Sequence, residues 1–235
     1  MFNVALIGKT YNDTIVFVDR CYMGETNDCN KIVERRGGIY NFFQANLKNS
    51  HYDLFEFGSK TVYIISDKHS SMRTSFVYDE SPSVVYMDDV DKINEKCDWA
   101  HVSYVDDFES FSELIHLKKP YSLDFCTTKD RKGYADVMRG ASIVFDSRER
   151  KSLYGDINID TPIIFHDQYG SEVVQNSKTI WEKRIVPISG LNVNGAGDIY
   201  AGIFLEHYFK LGIFKSIEIA MDKTTNILRE KNEKI

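Results

Sequence analysis

The sequence predicts an α/β fold in which a mostly parallel central sheet is covered by helices and carries a small β-sheet lid. Three observations point there. Short apolar runs of strand length recur along the chain and are mostly separated by helical patterning, the alternation that builds a parallel sheet. Residues 10–80 instead read as β-rich. From Gly197 onward the apolar positions take helical spacing.

Residues 4–7 are an apolar run ending at Gly8, the form of a strand buried on both faces and followed by a tight turn. Residues 14–18, 61–65 and 74–78 read as lid strands, the last two joined by a hairpin connection over 67–71. Between them, Gly37-Gly38 opens a predicted helix over 39–47. Runs at 84–86, 99–102, 122–125, 143–145 and 163–165 supply further strands. Ile199, Ile203, Phe204, Leu211, Ile217, Ala220, Ile227 and Leu228 mark the C-terminal helical stretch, and the charged residues 229–234 are expected to fray. The expected organisation is a single domain over 1–235, with residues of about 10–36 and 58–80 forming the lid.

With 43% hydrophobic and 27% charged residues, the 235-residue chain has the composition of an ordinary globular protein, enriched in aromatics by 14 Tyr and 15 Phe. A net charge of -6 argues against nucleic-acid or anionic-membrane partners, and the scattered basic runs, including 129–132, read as solvated faces. Cys21, Cys29, Cys97 and Cys126 lack metal or disulfide-framework spacing, which fits a reducing cytoplasm. No signal peptide and no membrane-length apolar run is read. The six histidines lack zinc spacing, and neither a phosphate-loop nor a dinucleotide fingerprint is present. His166 reads as structural. Tyr11, Phe17, Tyr22, Tyr63, Phe76 and Tyr78 crowd the lid, and a homodimer through it is expected, since a small exposed sheet must cover its apolar side.

The chemistry centres on Asn194-Gly195-Ala196-Gly197-Asp198, which follows the loop 189–193 and opens the long helix. Small residues at a helix N-terminus leave N–H groups pointing outward, able to hold a phosphate with help from the helix dipole. A carboxylate in that first turn could accept a proton from an attacking hydroxyl. The plainer reading, a turn glycine pair and an acid complementing the dipole, stands beside it.

The run Asn194-Gly195-Ala196-Gly197-Asp198-Ile199-Tyr200-Ala201-Gly202 resembles the C-terminal signature of the PfkB (ribokinase-like) carbohydrate kinases. That resemblance implies a three-layer α/β/α ribokinase-like fold. It makes Asp198 the base, and Gly195, Ala196 and Gly197 the anion hole. Arg35-Arg36-Gly37-Gly38-Ile39-Tyr40-Asn41 resembles the family's sugar-binding signature, so Gly37, Gly38 and Asn41 are implied sugar ligands, as is Asp13 after the first strand. Residues 18–26 are similar to the lid segment and 97–103 to the strand after it. The resemblance implies ATP and Mg2+, with Asn194, Gly170 and Arg150 on the nucleotide side.

Four departures accompany it, the mildest being Asn194 in place of the family's Thr before the anion hole. Ser147 and Arg150 stand where the family has the Asn and Glu of an Asn-x-x-Glu motif, leaving Asp146, Glu149 or Arg150 as candidates for phosphate and metal contacts and the metal ligands unknown. Only Gly170 remains of the usual nucleotide-phosphate turn. The chain also passes almost directly from the Asn41 helix to the strand at 61, without the intervening strand and helix, leaving the acceptor side more open or closed by a partner subunit. Two readings result: an active ATP-dependent sugar or polyol kinase, and a catalytically inactive sugar- or nucleotide-binding protein on the same fold.

Overall fold

In a computed structural model of the chain, residues 2–45, 47–48, 50–69, 73–79, 85–104, 113–126, 131–155, 157–188 and 193–233 are described. The loop 189–192, and parts of the expected hairpin connection, of the 84–86 run, of the 129–132 run and of the frayed end, lie outside them.

Among the described residues, ten strands form one sheet. They are β1 (Phe2–Val18), β2 (Lys31–Gly38), β3 (Ser50–Asp67), β4 (Arg73–Asp79), β5 (Trp99–Ser103), β6 (Tyr121–Asp124), β7 (Ile143–Ser147), β8 (Ile163–Asp167), β9 (Gly170–Gln175) and β10 (Lys178–Arg184). Their order is β10-β9-β8-β7-β6-β5-β1-β3-β4, with β2 also pairing β1. The central pairs β3/β1, β1/β5, β5/β6, β6/β7 and β7/β8 are parallel, as the buried apolar runs require.

The predicted turn at Gly8 does not form. β1 continues through it with only a register shift between Gly8 and Thr10, because β3 runs alongside over its whole length. The first halves of these two strands belong to the central sheet. Their second halves, joined by β2 and β4, are the lid. A correction follows for residues 50–58: the strand that seemed omitted after the Asn41 helix is the first half of β3, paired with β1 from Phe2 to Gly8. Residues 85 and 86 are likewise not strand but the entry to a helix. The β9/β10 hairpin was not expected. Asn176 and Ser177 both take positive φ, 51° and 58°, the geometry of a two-residue hairpin turn.

Side-chain alternation sorts the core into two layers. On one face Ala5, Ile7, Ala100, Val102, Leu123 and Val144 meet Val90 and Ile93 of α1 (Met87–Lys96) and Val137 and Met138 of α2 (Ala135–Gly140). On the other, Val4, Leu6, Ile143, Phe145 and Ile164 meet the helix α3 (Ala196–Glu233) and the 3-10 helix Ile39–Ala45. The sheet is thus sandwiched between helical layers. α3 breaks at Gly212, whose φ of 72° only glycine adopts freely, so its second half folds back along the first.

Candidate active site

Parallel α/β sheets bind ligands beyond the carboxyl ends of their strands. Here Tyr104 follows β5, Asp124 ends β6, Asp146 and Ser147 end β7 and His166 lies near the end of β8, so this edge collects the polar groups. The N-terminus of α3 abuts it. Gly197 packs against His166, where a Cβ would meet the imidazole Cε1 at 3.4 Å.

Asp198 sits in the first turn of α3 and is 3% exposed. Its Oδ2 accepts hydrogen bonds from the Tyr104 hydroxyl at 2.7 Å and from Asn41 Nδ2 at 3.2 Å. Its Oδ1 is buried without a hydrogen-bond partner among the described residues. Burial pushes the carboxyl up to about 7, against the opposing pull of Tyr104, Asn41 and the Arg73 charge. Asn41 is held from behind by Gln44, which donates to its Oδ1 at 2.7 Å. Gly195 adopts φ 76° directly against Asn41, where a Cβ would lie 2.7 Å from Cγ. A side chain there would displace Asn41 and with it the carboxylate.

The first-turn N–H groups of a helix have no intrahelical acceptors. That of Ala196 is taken by the Val193 carbonyl at 3.0 Å, so Gly195 and Gly197 are the better placed of the three predicted residues to hold a phosphoryl oxygen.

Asp13 lies on the lid half of β1, 5% exposed, opposite Arg35 in register and 3.6 Å from its Nε. Burial raises its carboxyl while Arg35 and Arg73 pull it down. Gly37 makes room for it, since a Cβ there would fall 2.2 Å from Asp13 Oδ2. Gly38 ends β2 and delivers the chain into the helix bearing Asn41. Arg73, at the start of β4, hydrogen-bonds Asn194 Oδ1 and acts electrostatically on both Asp13 and Asp198. The two carboxylates therefore share one site.

Two predicted residues stand apart. Gly170 opens β9 at the β8/β9 turn, where a Cβ would fall 2.0 Å from the Lys183 carbonyl oxygen, so strand pairing alone requires it. Arg150 is tied to Asp146 Oδ1 through Nε at 2.6 Å and to the Phe125 carbonyl through Nη2 at 2.8 Å. Asp146 is correspondingly not a spare ligand: it also receives Arg131, the Tyr154 hydroxyl and the Ser147 N–H. His166 is half-buried, stacked on Tyr200 at 4.7 Å and held down to about 4 by desolvation, hence neutral.

Sequence reading missed Tyr104, Arg73 and Asp124. Burial and the neighbouring Asp198 and Asp146 charges push Asp124 up to about 8. Tyr104 has φ 58°, unusual for a tyrosine, and its ring meets Tyr11 of the lid edge-on at 5.0 Å. No local motif announces any of the three.

No protein-family model and no curated protein matches the chain. Solved structures do. A ribokinase from Arabidopsis thaliana, complexed with ribose and ATP, superposes with a TM-score of 0.70 at 10% identity, over 97% of this chain and 93% of that one. The fold is ribokinase-like. A nucleoside kinase from Methanocaldococcus jannaschii, a member of the ribokinase family, gives 0.68 at 14% identity over 98% and 99%. One from Burkholderia thailandensis in complex with inosine gives 0.68 at 12%, over 94% and 89%. In this ribokinase-like frame, Asp13, Gly37, Asn41, Asn194, Gly195 and Asp198 converge between lid and sheet edge, while Gly170 and Arg150 support the strands beside them. No helix among the described residues is long and apolar enough to cross a membrane.

Proposed function

We propose that the protein transfers a phosphoryl group from ATP to a hydroxyl of a sugar or related polyol, nucleosides included. One observation carries this reading: Asp198, buried at the N-terminus of α3, is anchored through Oδ2 and presents an unpartnered Oδ1 beside Gly195 and Gly197. A carboxyl held near 7 suits a general base at neutral pH. Asp198 accepts the proton of the acceptor hydroxyl through Oδ1. Gly195 and Gly197 direct N–H groups at the transferring phosphoryl oxygens, and Asn194 and Arg73 close that side. Asp13, Gly37, Gly38 and Asn41 form the acceptor pocket.

The orphaned Oδ1 suits a donating hydroxyl, and the helix N-terminus suits a phosphoryl group. Among the described residues no three acidic, histidine or cysteine side chains cluster as metal ligands. Mg2+ bound to phosphates commonly takes only one or two carboxylates, and Asp124 would hold it here. When bound, the ion would neutralise phosphate charge. A cytoplasmic setting is part of this proposal, in keeping with the free thiols of Cys21, Cys29, Cys97 and Cys126, and the exposed cross-strand pair Tyr63 and Phe76 would supply a lid-mediated homodimer.

The binding-only reading has one observation in its favour, the locking of Arg150 onto Asp146 where a catalytic motif was expected. ATP consumption by the purified protein with Mg2+, over a panel of sugars, polyols and nucleosides, decides between them. Binding of a panel member without turnover would overturn the kinase reading.

A further inference from the structure

Tyr11 stands on the lid half of β1, in register with Gly37 of β2 and Lys60 of β3. Strand alternation puts it on the same face of β1 as Asp13, Ile15 and Phe17. With Phe17 it packs against Ile15, Val62 and Ile64, the core of the lid itself. Its ring also meets Tyr104 edge-on at 5.0 Å, and Tyr104 packs against the separate core shared by the central sheet and α3. The pair therefore joins lid to body at the point where the Tyr104 hydroxyl donates to Asp198.

Tyr104 is held in a conformation that a tyrosine seldom adopts unaided. Its φ of 58° lies in the left-handed region, and such a backbone persists only where the surroundings over-determine it. Two contacts fix the side chain: the phenol is bonded to Asp198 Oδ2 at 2.7 Å, and the ring is met by that of Tyr11. Edge-on aromatic contacts are directional, so an aliphatic side chain of similar bulk at residue 11 would fill the space without fixing the ring. Loss of the Tyr11 ring would let the backbone of Tyr104 relax and carry its hydroxyl away from the carboxylate. Tyr11 and Asp13 are two residues apart on a strand laddered to β2 on one side and β3 on the other. An acceptor that settles on Asp13 thus also sets Tyr11.

We infer that Tyr11 is a positioning residue for the Asp198 base, acting through Tyr104 and tying the acceptor's seat on the lid to the orientation of the carboxylate. The inference rests on the phosphoryl-transfer reading of this site and adds to it a residue that acts at one remove. Steady-state kinetics of the full chain with ATP and Mg2+, on the acceptor that the panel identifies, test it together with crystal structures of the variants. Tyr11→Leu is expected to lower kcat roughly 10-fold or more while the acceptor KM stays within about threefold, and Tyr11→Phe, which keeps the ring, should retain most of kcat. In a Tyr104→Phe background, Tyr11→Leu should change kcat by less than about twofold, because the hydroxyl through which it acts is gone. The Tyr11→Leu structure should show the Tyr104 hydroxyl beyond hydrogen-bond reach of Asp198 Oδ2. Tyr11→Met takes its place in every comparison if Tyr11→Leu does not fold. A raised KM with kcat kept, a Tyr11→Phe loss as large as that of Tyr11→Leu, losses that multiply in the double variant, or an unmoved Tyr104 would each overturn the inference while leaving the kinase reading intact. If the unmodified protein consumes no ATP with any panel member, the kinase reading falls instead, and the position of Tyr104 in the Tyr11→Leu structure still decides whether the link exists.

Discussion

The Tyr104 hydroxyl donates to Asp198 Oδ2 at 2.7 Å, while Oδ1 of the same carboxylate is left without a partner among the described residues. One oxygen is anchored and the other is offered. A carboxylate so divided is oriented for one incoming proton, which a merely dipole-complementing acid in the first turn of a helix does not need.

Asp198→Asn should lower turnover by roughly 10²- to 10⁴-fold with acceptor binding largely kept, the usual cost of losing a general base. In the unmodified protein kcat/KM should rise with pH through about 7 and level off above it, as the carboxyl ionises. Steady-state kinetics from pH 5 to 9 checks both.

Tyr104→Phe removes a hydrogen bond that favours the ionised carboxylate. The inflection of the pH–rate profile should therefore move to higher pH. An unmoved inflection would mean that the phenol does not govern the base.

The same burial makes Asp198 a source of instability. Its folded-state value lies above that of an unfolded chain, so its contribution is intact below about pH 4 and is lost as pH rises through about 7. Asp198→Asn should thus stabilise the protein by on the order of 1–3 kcal/mol at pH 8 and by almost nothing at pH 4. Denaturant titrations at the two pH values measure the difference.

Gly195→Ala places a methyl against Asn41 in a backbone conformation unfavourable to alanine. Activity should fall by at least 10-fold, since small misplacements of reacting groups are costly. Wild-type turnover would show that Asn41 does not position the carboxylate.

Asp146 illustrates what sequence reading cannot separate. In the sequence it was a candidate metal ligand. In the structure it is fully buried and bonded to Arg131, Arg150, Tyr154 and its neighbour's N–H. Asp146→Ala should cost about 3–5 kcal/mol of stability by stranding Arg131, which is itself fully buried. Thermal or chemical unfolding measures that loss directly.

The strands 99–103, 121–124, 143–147 and 163–167 were readable because a strand buried on both faces must be apolar throughout. The Gly195 to Asp198 turn and the Gly37-Gly38 entry were readable because close approach and positive φ restrict residue choice. The first half of β3 was not: His51, Asp53 and Glu56 interrupt it, and only pairing with β1 makes it a strand. β10, with Lys178, Glu182, Lys183 and Arg184, hid for the same reason. Tyr104 and Arg73 reach the site from just after β5 and from the start of β4, positions related only by tertiary structure.

β1 and β3 keep their parallel ladder across the boundary between sheet and lid, broken only by the register shift after Gly8. No linker separates the two parts. Any opening of the site must therefore bend a pair of hydrogen-bonded ribbons instead of rotating a body about a flexible joint, with the shift beside Gly8 as the natural point of flexure. Since Asp13 lies beyond that point and Asp198 before the sheet edge, flexing the ribbons changes the separation between the two carboxylates in a single movement.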